Sequence, residues 1–289
     1  MTSTTTQLIR VGHSPDPDDA FMFYALAKEK IPMQGFRVEH VIEDIETLNQ
    51  RALSAELEVT AVSCHAYAYL ADKYAVMRSG ASVGDQYGPI LVSKKGPVSK
   101  ERHNLLKQVP LRGKKIAVPG KLTTAYLVLQ LYEKDFEPVF IPFDQIFNAV
   151  LSGEADLGLV IHEGQITYGQ KGLEKVVDLG QWWFEKTKLP LPLGVDIIRR
   201  DLGDETIASF SRLFKASIQY ALDHRNEALS YALEYGRGIQ EKLGDQFVGM
   251  YVNDYTVDLG SRGEAGLKKL LQEGYARRII PHSLAIDFV

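Results

Sequence analysis

The fold class is decided by the segment Lys114–His162, whose sequence is KKIAVPGKLTTAYLVLQLYEKDFEPVFIPFDQIFNAVLSGEADLGLVIH. Short apolar runs typical of strands alternate in it with helical patterns. The predicted elements, in order, are a strand (Lys114–Val118), a helix (Thr123–Lys134), a strand (Val139–Phe143), a helix after Asp144 that stops near Gly153, and a strand (Leu157–His162). Such alternation predicts mainly parallel strands covered by helices.

The same alternation runs from Gln7 to Ser93, whereas the last third of the chain has helical patterns only. These predicted helices are Thr206–Tyr220, Arg225–Tyr235, Leu243–Val252 and Glu264–Arg277. We therefore predict an α/β protein of two lobes with an interlobe cleft. The first lobe takes residues 1–95 and 196–289, and the second takes residues 96–195. Ligand sites favour such domain interfaces, beyond the carboxyl ends of strands.

Composition excludes several functional classes. The 289 residues include 33 Lys and Arg against 37 Asp and Glu, a net charge of −4, which gives no electrostatic footprint for nucleic acid or an anionic membrane. Cys64 is the one cysteine, so neither an internal disulfide nor a multi-cysteine zinc site is expected. No apolar run reaches the roughly 18 residues of a membrane span, and the N-terminus lacks a signal-peptide pattern. We expect a cytoplasmic protein.

Two turns after predicted strands in the first half carry polar side chains. The first, Gly12–Asp19, contains Ser14 and is expected to face the cleft, although Asp18 or Asp19 could simply cap the next helix. The second follows the strand that contains Ala61. There Ser63 is either a ligand contact or an N-cap. Cys64 and His65 are expected to be structural.

Two further strand ends lie in the second predicted lobe. Thr123, Thr124 and Ala125 begin a helix after a Pro-Gly turn, and the free N–H groups of a helix start suit a carboxylate; the alternative is an ordinary Thr N-cap. His162 ends an apolar strand, which should project it toward the cleft, where a neutral imidazole can accept a proton. The alternative is a structural histidine. The histidines show no metal-ligand spacing, and no P-loop, dinucleotide-binding or nucleophile-elbow motif is present, so no metal is expected.

Several motifs recur in order along nearly the whole chain. They are Ser14-Pro15-x-Pro17-x-Asp19-x-Phe21, Glu46-Thr47-Leu48-Asn49, Arg78-Ser79-Gly80, Val118-Pro119-Gly120-x-x-Thr123-Thr124-Ala125-Tyr126, Ile161-His162-Glu163 and Leu189-Pro190-Leu191-Pro192-Leu193-Gly194. In these motifs the sequence resembles the 1,4-dihydroxy-6-naphthoate synthases, the MqnD-type enzymes of the futalosine route to menaquinone.

The resemblance implies a fold similar to the type II periplasmic binding proteins, used as a cytoplasmic enzyme. It implies a lyase that cleaves cyclic dehypoxanthine futalosine to 1,4-dihydroxy-6-naphthoate and a sugar-derived fragment, without a cofactor. The family's proposed general base falls on His162. Its substrate contacts fall on Ala61, Ser63, Thr124 and Ala125, and Asn49 matches a further cleft position. The expected partner is a small-molecule carboxylate.

This chain also departs from the family pattern. Asp16, Asp18 and Ala20 stand where Cys, Asn and Thr are usual, and Cys64-His65 replaces Tyr-Ala. Extra carboxylates near an anionic substrate would weaken its binding unless they point away or pair. Two alternatives remain open: a chorismate dehydratase or another menaquinone-pathway homologue of the same fold, and a non-catalytic solute-binding protein.

Overall fold

The computed structural model describes residues 6–96, 111–235 and 240–289. In chain order the strands are β1 (Gln7–His13), β2 (Phe36–Ile42), β3 (Val59–Ser63), β4 (Tyr74–Val76), β5 (Ser82–Gly84), β6 (Ile90–Lys94), β7 (Lys115–Val118), β8 (Glu137–Phe140), β9 (Leu157–Val160), β10 (Leu173–Asp178) and β11 (Leu191–Arg199). The helices are α1 (Pro17–Ala27), α2 (Ile45–Leu53), α3 (Cys64–Tyr67), α4 (Thr124–Tyr132), α5 (Ile146–Ser152), α6 (Gly164–Thr167), α7 (Leu179–Thr187), α8 (Asp204–Asp223), α9 (Arg225–Leu233), α10 (Glu241–Tyr251), α11 (Asp254–Val257) and α12 (Gly260–Ala276).

Within the described ranges the strands form two mixed sheets. The first has the order β2-β1-β3-β11-β4, with β5 on another part of β11, and the second has the order β10-β6-β9-β7-β8. In the first sheet β1 runs parallel to β2 and β3, while β11 is antiparallel to β3. The carboxyl ends of β1 and β3 therefore meet at one edge. In the second sheet β7 runs parallel to β8 and β9, so their following turns also share an edge.

The C-terminal helices lie mainly on the first sheet. Helix α1 packs against α8 and α9, and the ring of Phe23 stacks on Phe214 with 4.7 Å between centroids. Helix α12 differs, because its buried Leu267 and Leu270 join a core that also contains Val62 of β3 and Leu127 of α4. This shared core connects the two lobes. No helix in the described part of the chain is long and apolar enough to cross a bilayer.

Two strands belong to a different sheet from the one that the predicted lobe boundaries imply. Strand β6, inside the predicted first lobe, pairs with β9 and β10 of the second sheet. The start of β11, inside the predicted second lobe, pairs with β5 and β3 of the first sheet. The predicted first boundary, between residues 95 and 96, is therefore wrong, because the chain crosses from one sheet to the other between Gly84 and Ile90. Residues 97–110 of the predicted boundary region lie outside the described residues.

Candidate active site

The main cleft lies between the two sheets and has a volume of about 640 Å³, including its open mouth. Its walls contain most of the residues that the sequence singles out: Ser14, Ala61, Ser63, Thr123, Thr124 and Ala125. They come together because the turns after β1 and β3 share one sheet edge, and the turn after β7 faces them from the other sheet. Asn49 and His162 do not line this cleft.

The start of α4 presents backbone donors to the cleft. Thr123 is the N-cap, since its Oγ1 accepts a hydrogen bond from the N–H of Tyr126 at 3.3 Å and donates to the carbonyl of Gly120 at 2.9 Å. The Thr124 hydroxyl donates to the carbonyl of Leu193 at 2.5 Å. Both hydroxyls are therefore engaged. Among the described residues, the backbone N–H groups of Thr124 and Ala125 have no acceptor, and such groups at a helix start attract anions.

Ser63 adds a side-chain donor beside this helix start. Asn49, which is fully buried, donates from Nδ2 to Ser63 Oγ at 3.2 Å and accepts from the Ser63 N–H at 2.8 Å. Ser63 is at the N-cap position of α3 but makes no side-chain capping bond, which disfavours the plain N-cap interpretation. Within the described chain its hydroxyl hydrogen has no acceptor, so it can donate to a ligand. Asn49 thus acts by positioning Ser63 from behind the wall.

Carboxylates occupy another part of the cleft. Asp16, Asp18 and Asp19 line it from the β1–α1 region, and Asp196 lines it from β11. Asp19 accepts a hydrogen bond from the Ser14 N–H at 2.7 Å, and Asp18 accepts one from Ser82 Oγ at 3.4 Å. Burial, reinforced by the neighbouring Asp19 charge, raises the pKa of both Asp18 and Asp196 well above the ordinary value. These two carboxyl groups therefore favour their uncharged form.

Asp196 is the functional candidate that sequence reasoning missed. It lies in the apolar run Val195-Asp196-Ile197-Ile198, inside a strand, rather than at the strand end where site residues were sought. A single acid within such a run is the signal that could have found it, because charged residues are almost never fully buried without a partner. Asp196 is only 1% exposed to solvent.

His162 does not line the main cleft, whereas its neighbour Ile161 does. The imidazole Nδ1 accepts a hydrogen bond from the Gly164 N–H at 2.9 Å, and Nε2 lies 3.2 Å from the carbonyl of Phe143. With Nδ1 accepting, Nε2 carries the proton and donates to Phe143. Strand β9 ends at Val160, so the alternation of a strand no longer directs His162 into the cleft. In this conformation both ring nitrogens are engaged with the backbone.

A smaller cavity of about 230 Å³ adjoins this region. It shares Ser14, Asp16, Ile45 and Ile161 with the main cleft, and it is also lined by Phe143. The Phe143 ring contacts the His162 ring edge-on, with 5.3 Å between centroids. Phe143 is therefore both a wall of the smaller cavity and a direct neighbour of the His162 ring.

The two unusual residues after Ser63 have structural surroundings. Burial raises the pKa of the Cys64 thiol to about 12, which disfavours the thiolate that a nucleophile needs. Burial lowers the pKa of His65 to about 4, and its Nδ1 lies 3.3 Å from the carbonyl of Thr123. His65 thus connects the first lobe to the start of α4. No group of three or more metal-ligating side chains occurs among the described residues.

With this geometry described, comparison with known proteins places the chain. A family model described as menaquinone biosynthesis matches residues 9–276. The chain belongs to this menaquinone-biosynthesis family. A Thermus thermophilus relative named 1,4-dihydroxy-6-naphtoate synthase is 41% identical over 271 residues, covering 94% of this chain and 95% of the relative. A Streptomyces coelicolor relative of the same name is 34% identical over 279 residues, with 94% and 95% coverage.

Solved structures show that this family member has a periplasmic-binding-protein-like fold. An Archaeoglobus fulgidus protein is 50% identical, with a TM-score of 0.87 over 97% of this chain and 100% of that one. The alkanesulfonate-binding protein of Xanthomonas axonopodis pv. citri has a TM-score of 0.70 at 10% identity, with 96% of each chain covered. A Candida albicans protein, described as having the generic periplasmic binding protein fold, has a TM-score of 0.65 at 12% identity over 93% of this chain and 95% of that one. The predicted fold class is confirmed.

Proposed function

We propose that this chain is a cytoplasmic carbon–carbon lyase that converts cyclic dehypoxanthine futalosine to 1,4-dihydroxy-6-naphthoate. The observation that carries the proposal is the donor set at the start of α4 in a chain whose relatives carry that enzyme's name. The N–H groups of Thr124 and Ala125, together with the Ser63 hydroxyl, can hold the aromatic carboxylate of such a substrate. No cofactor is needed for this cleavage.

The reaction requires removal of a proton and cleavage of a carbon–carbon bond, and formation of the aromatic ring supplies driving force. We assign the proton removal to His162. Its imidazole must first leave the N–H of Gly164, because Nδ1 is the unprotonated nitrogen in this conformation. A ligand-driven movement that separates Nδ1 from the Gly164 N–H would free it, and lid or lobe movements commonly complete catalytic sites in this way.

Hydrogen bonds across the cleft support a closed arrangement that orients a substrate. Glu46 of α2 accepts from the Leu122 N–H at 3.1 Å, and Tyr251 of α10 donates from its hydroxyl to Gln165 Oε1 at 2.7 Å. Each bond joins the first lobe to the second. Holding a substrate and a base in such a closed site supplies orientation and excludes water.

The experiment is direct turnover by purified protein. Cyclic dehypoxanthine futalosine and chorismate are offered separately, and products are followed by mass spectrometry. We expect 1,4-dihydroxy-6-naphthoate from the first compound and no dehydration of the second. Turnover of chorismate alone would replace the proposal with a chorismate dehydratase. Tight binding of either compound without any product would favour a solute-binding protein.

A further inference from the structure

Asp196 is a buried carboxylate on the cleft wall without a complete set of partners. One of its oxygens, Oδ1, is buried and has no hydrogen-bond partner. The other packs against Gly80, where an added Cβ would lie 2.2 Å from Oδ2. Gly80 has a φ of +96°, so glycine is favoured there both by conformation and by space. A buried acceptor without a partner is costly, and a ligand donor would remove that cost.

The surroundings of Asp196 indicate what kind of donor fits. Asp18, Asp19 and Ser82 line the same cleft, and no Lys or Arg does so among the described residues. Ser82 donates to Asp18, and Ser14 donates through its N–H to Asp19. A ligand carboxylate therefore finds no cationic side chain at this end. A ligand with several neutral hydroxyl groups finds acceptors here.

We propose that Asp18 and Asp196 form a subsite for the hydroxyl-bearing, sugar-derived part of the substrate. The assignment rests on the proposed function and names which residues hold the part of the substrate that the α4 donors do not reach. Burial and the Asp19 charge raise the pKa of both carboxyl groups, which favours their uncharged form. An uncharged carboxyl group both donates and accepts, as a sugar hydroxyl does.

The spacing of the two ends allows one molecule to contact both. Leu193 accepts the hydrogen bond from Thr124 at the carboxylate end, and Asp196 follows it along the same strand, β11. An extended strand rises by 3.2–3.4 Å per residue, so these positions are roughly 10 Å apart. A ligand with an aromatic carboxylate at one end and a hydroxylated ring at the other can span this distance.

The test measures kcat/KM for cyclic dehypoxanthine futalosine and the inhibition constant of benzoate, which has a carboxylate but no hydroxyl group. Asp196→Ala should lower kcat/KM about tenfold, the effect of one or two neutral hydrogen bonds, and change benzoate inhibition less than twofold. Asp196→Asn, which also donates and accepts without charge, should recover most of that loss. Asp201→Asn is the matched control, because Asp201 is an exposed acid with 67% side-chain exposure.

Other results would overturn the proposal in distinguishable ways. An unchanged kcat/KM in folded Asp196→Ala would show that Asp196 does not contribute to the subsite. An Asn variant as impaired as the Ala variant would show that charge is required, which fits a cationic group and not hydroxyls. If Asp196→Ala does not fold, Asp18→Ala and Asp18→Asn give the same comparison. A wild type without turnover would overturn the proposed function, and this assignment with it.

Discussion

The two ends of the cleft differ in both charge and origin. At one end, the start of α4 and Ser63 offer hydrogen-bond donors without a formal charge. At the other, Asp18, Asp19 and Asp196 offer buried carboxyl groups, and Asp19 accepts a hydrogen bond from the Ser14 backbone N–H. The first end is built from local helix geometry, whereas the second needs β1, β5 and β11 to come together. We therefore expect a ligand to place its anionic group at α4.

The largest effect is expected for the proposed base, which acts in the chemical step and not in ligand binding at either end of the cleft. His162→Ala should lower kcat by ~10²-fold or more, since a positioned base supplies ~10²–10⁴-fold, while benzoate inhibition stays within twofold. His282→Ala is the control, because His282 is exposed. Activity of folded His162→Ala within about tenfold of wild type would reject the role of His162 as the base.

The buried histidines predict an acid-dependent loss of stability. Burial lowers the pKa of His13, His40 and His65 to about 4. The unfolded chain binds these protons near pH 6.5, so their stabilising contribution is complete above that pH and falls as the pH drops toward 4. The shift of one such histidine is worth roughly 3 kcal/mol, so urea unfolding should show the free energy of unfolding falling by at least that amount across this window.

One variant tests the histidine account. His65→Gln removes a titrating ring but keeps a donor for the Thr123 carbonyl, so its pH profile should be flatter than that of wild type. His282→Gln should leave the profile unchanged. A His65→Gln profile as steep as that of wild type would show that this histidine does not cause the acid instability.

At the donor end the expected effect is smaller. Ser63→Ala removes the one side-chain hydroxyl there that has no protein acceptor within the described chain. Benzoate binding measured by calorimetry should weaken by about 1.5–3 kcal/mol, the value of a hydrogen bond to a charged group. Ser230→Ala, on the exposed face of α9, should have no effect. Unaltered benzoate affinity in Ser63→Ala would show that the carboxylate does not contact this residue.

The smallest effect is expected at the acidic end, where a substitution should stabilise the folded protein. Because the folded-state pKa of Asp196 is raised, its folding contribution is complete below the ordinary pKa and is lost as pH rises. Asp196→Asn should therefore raise the free energy of unfolding by about 1 kcal/mol at pH 7, and the gain should vanish toward pH 4. Thermal melts at both pH values measure it. A variant less stable than wild type at pH 7 would contradict the burial of an uncompensated carboxyl group.

The sequence predicted the parts of the cleft that depend on local patterns. Strand–helix alternation located the turns after β1, β3 and β7, and the Thr-Thr pair located the start of α4, where Thr123 proves to be the N-cap. It missed what depends on distant pairing. Asp196 becomes part of the site only because β11 pairs with β3, more than a hundred residues earlier, and because Gly80 leaves space beside it.

The position of His162 shows a second limit of local patterns. The sequence predicted that the strand would project His162 toward the cleft, but β9 ends at Val160 and the ring binds the backbone of Gly164. Strand ends are the least certain part of any such prediction. The lobe boundaries were misplaced for a related reason, since the partners of β6 and β11 lie far along the chain.

The most direct test of the two-ended cleft is a crystal structure with 1,4-dihydroxy-6-naphthoate bound. We expect the carboxylate oxygens about 2.7–3.2 Å from the backbone nitrogens of Thr124 and Ala125, with Ser63 Oγ within the same distance. The hydroxylated ring should extend toward Asp18 and Asp196. A carboxylate bound at Asp196, or outside the cleft between the two sheets, would contradict the account.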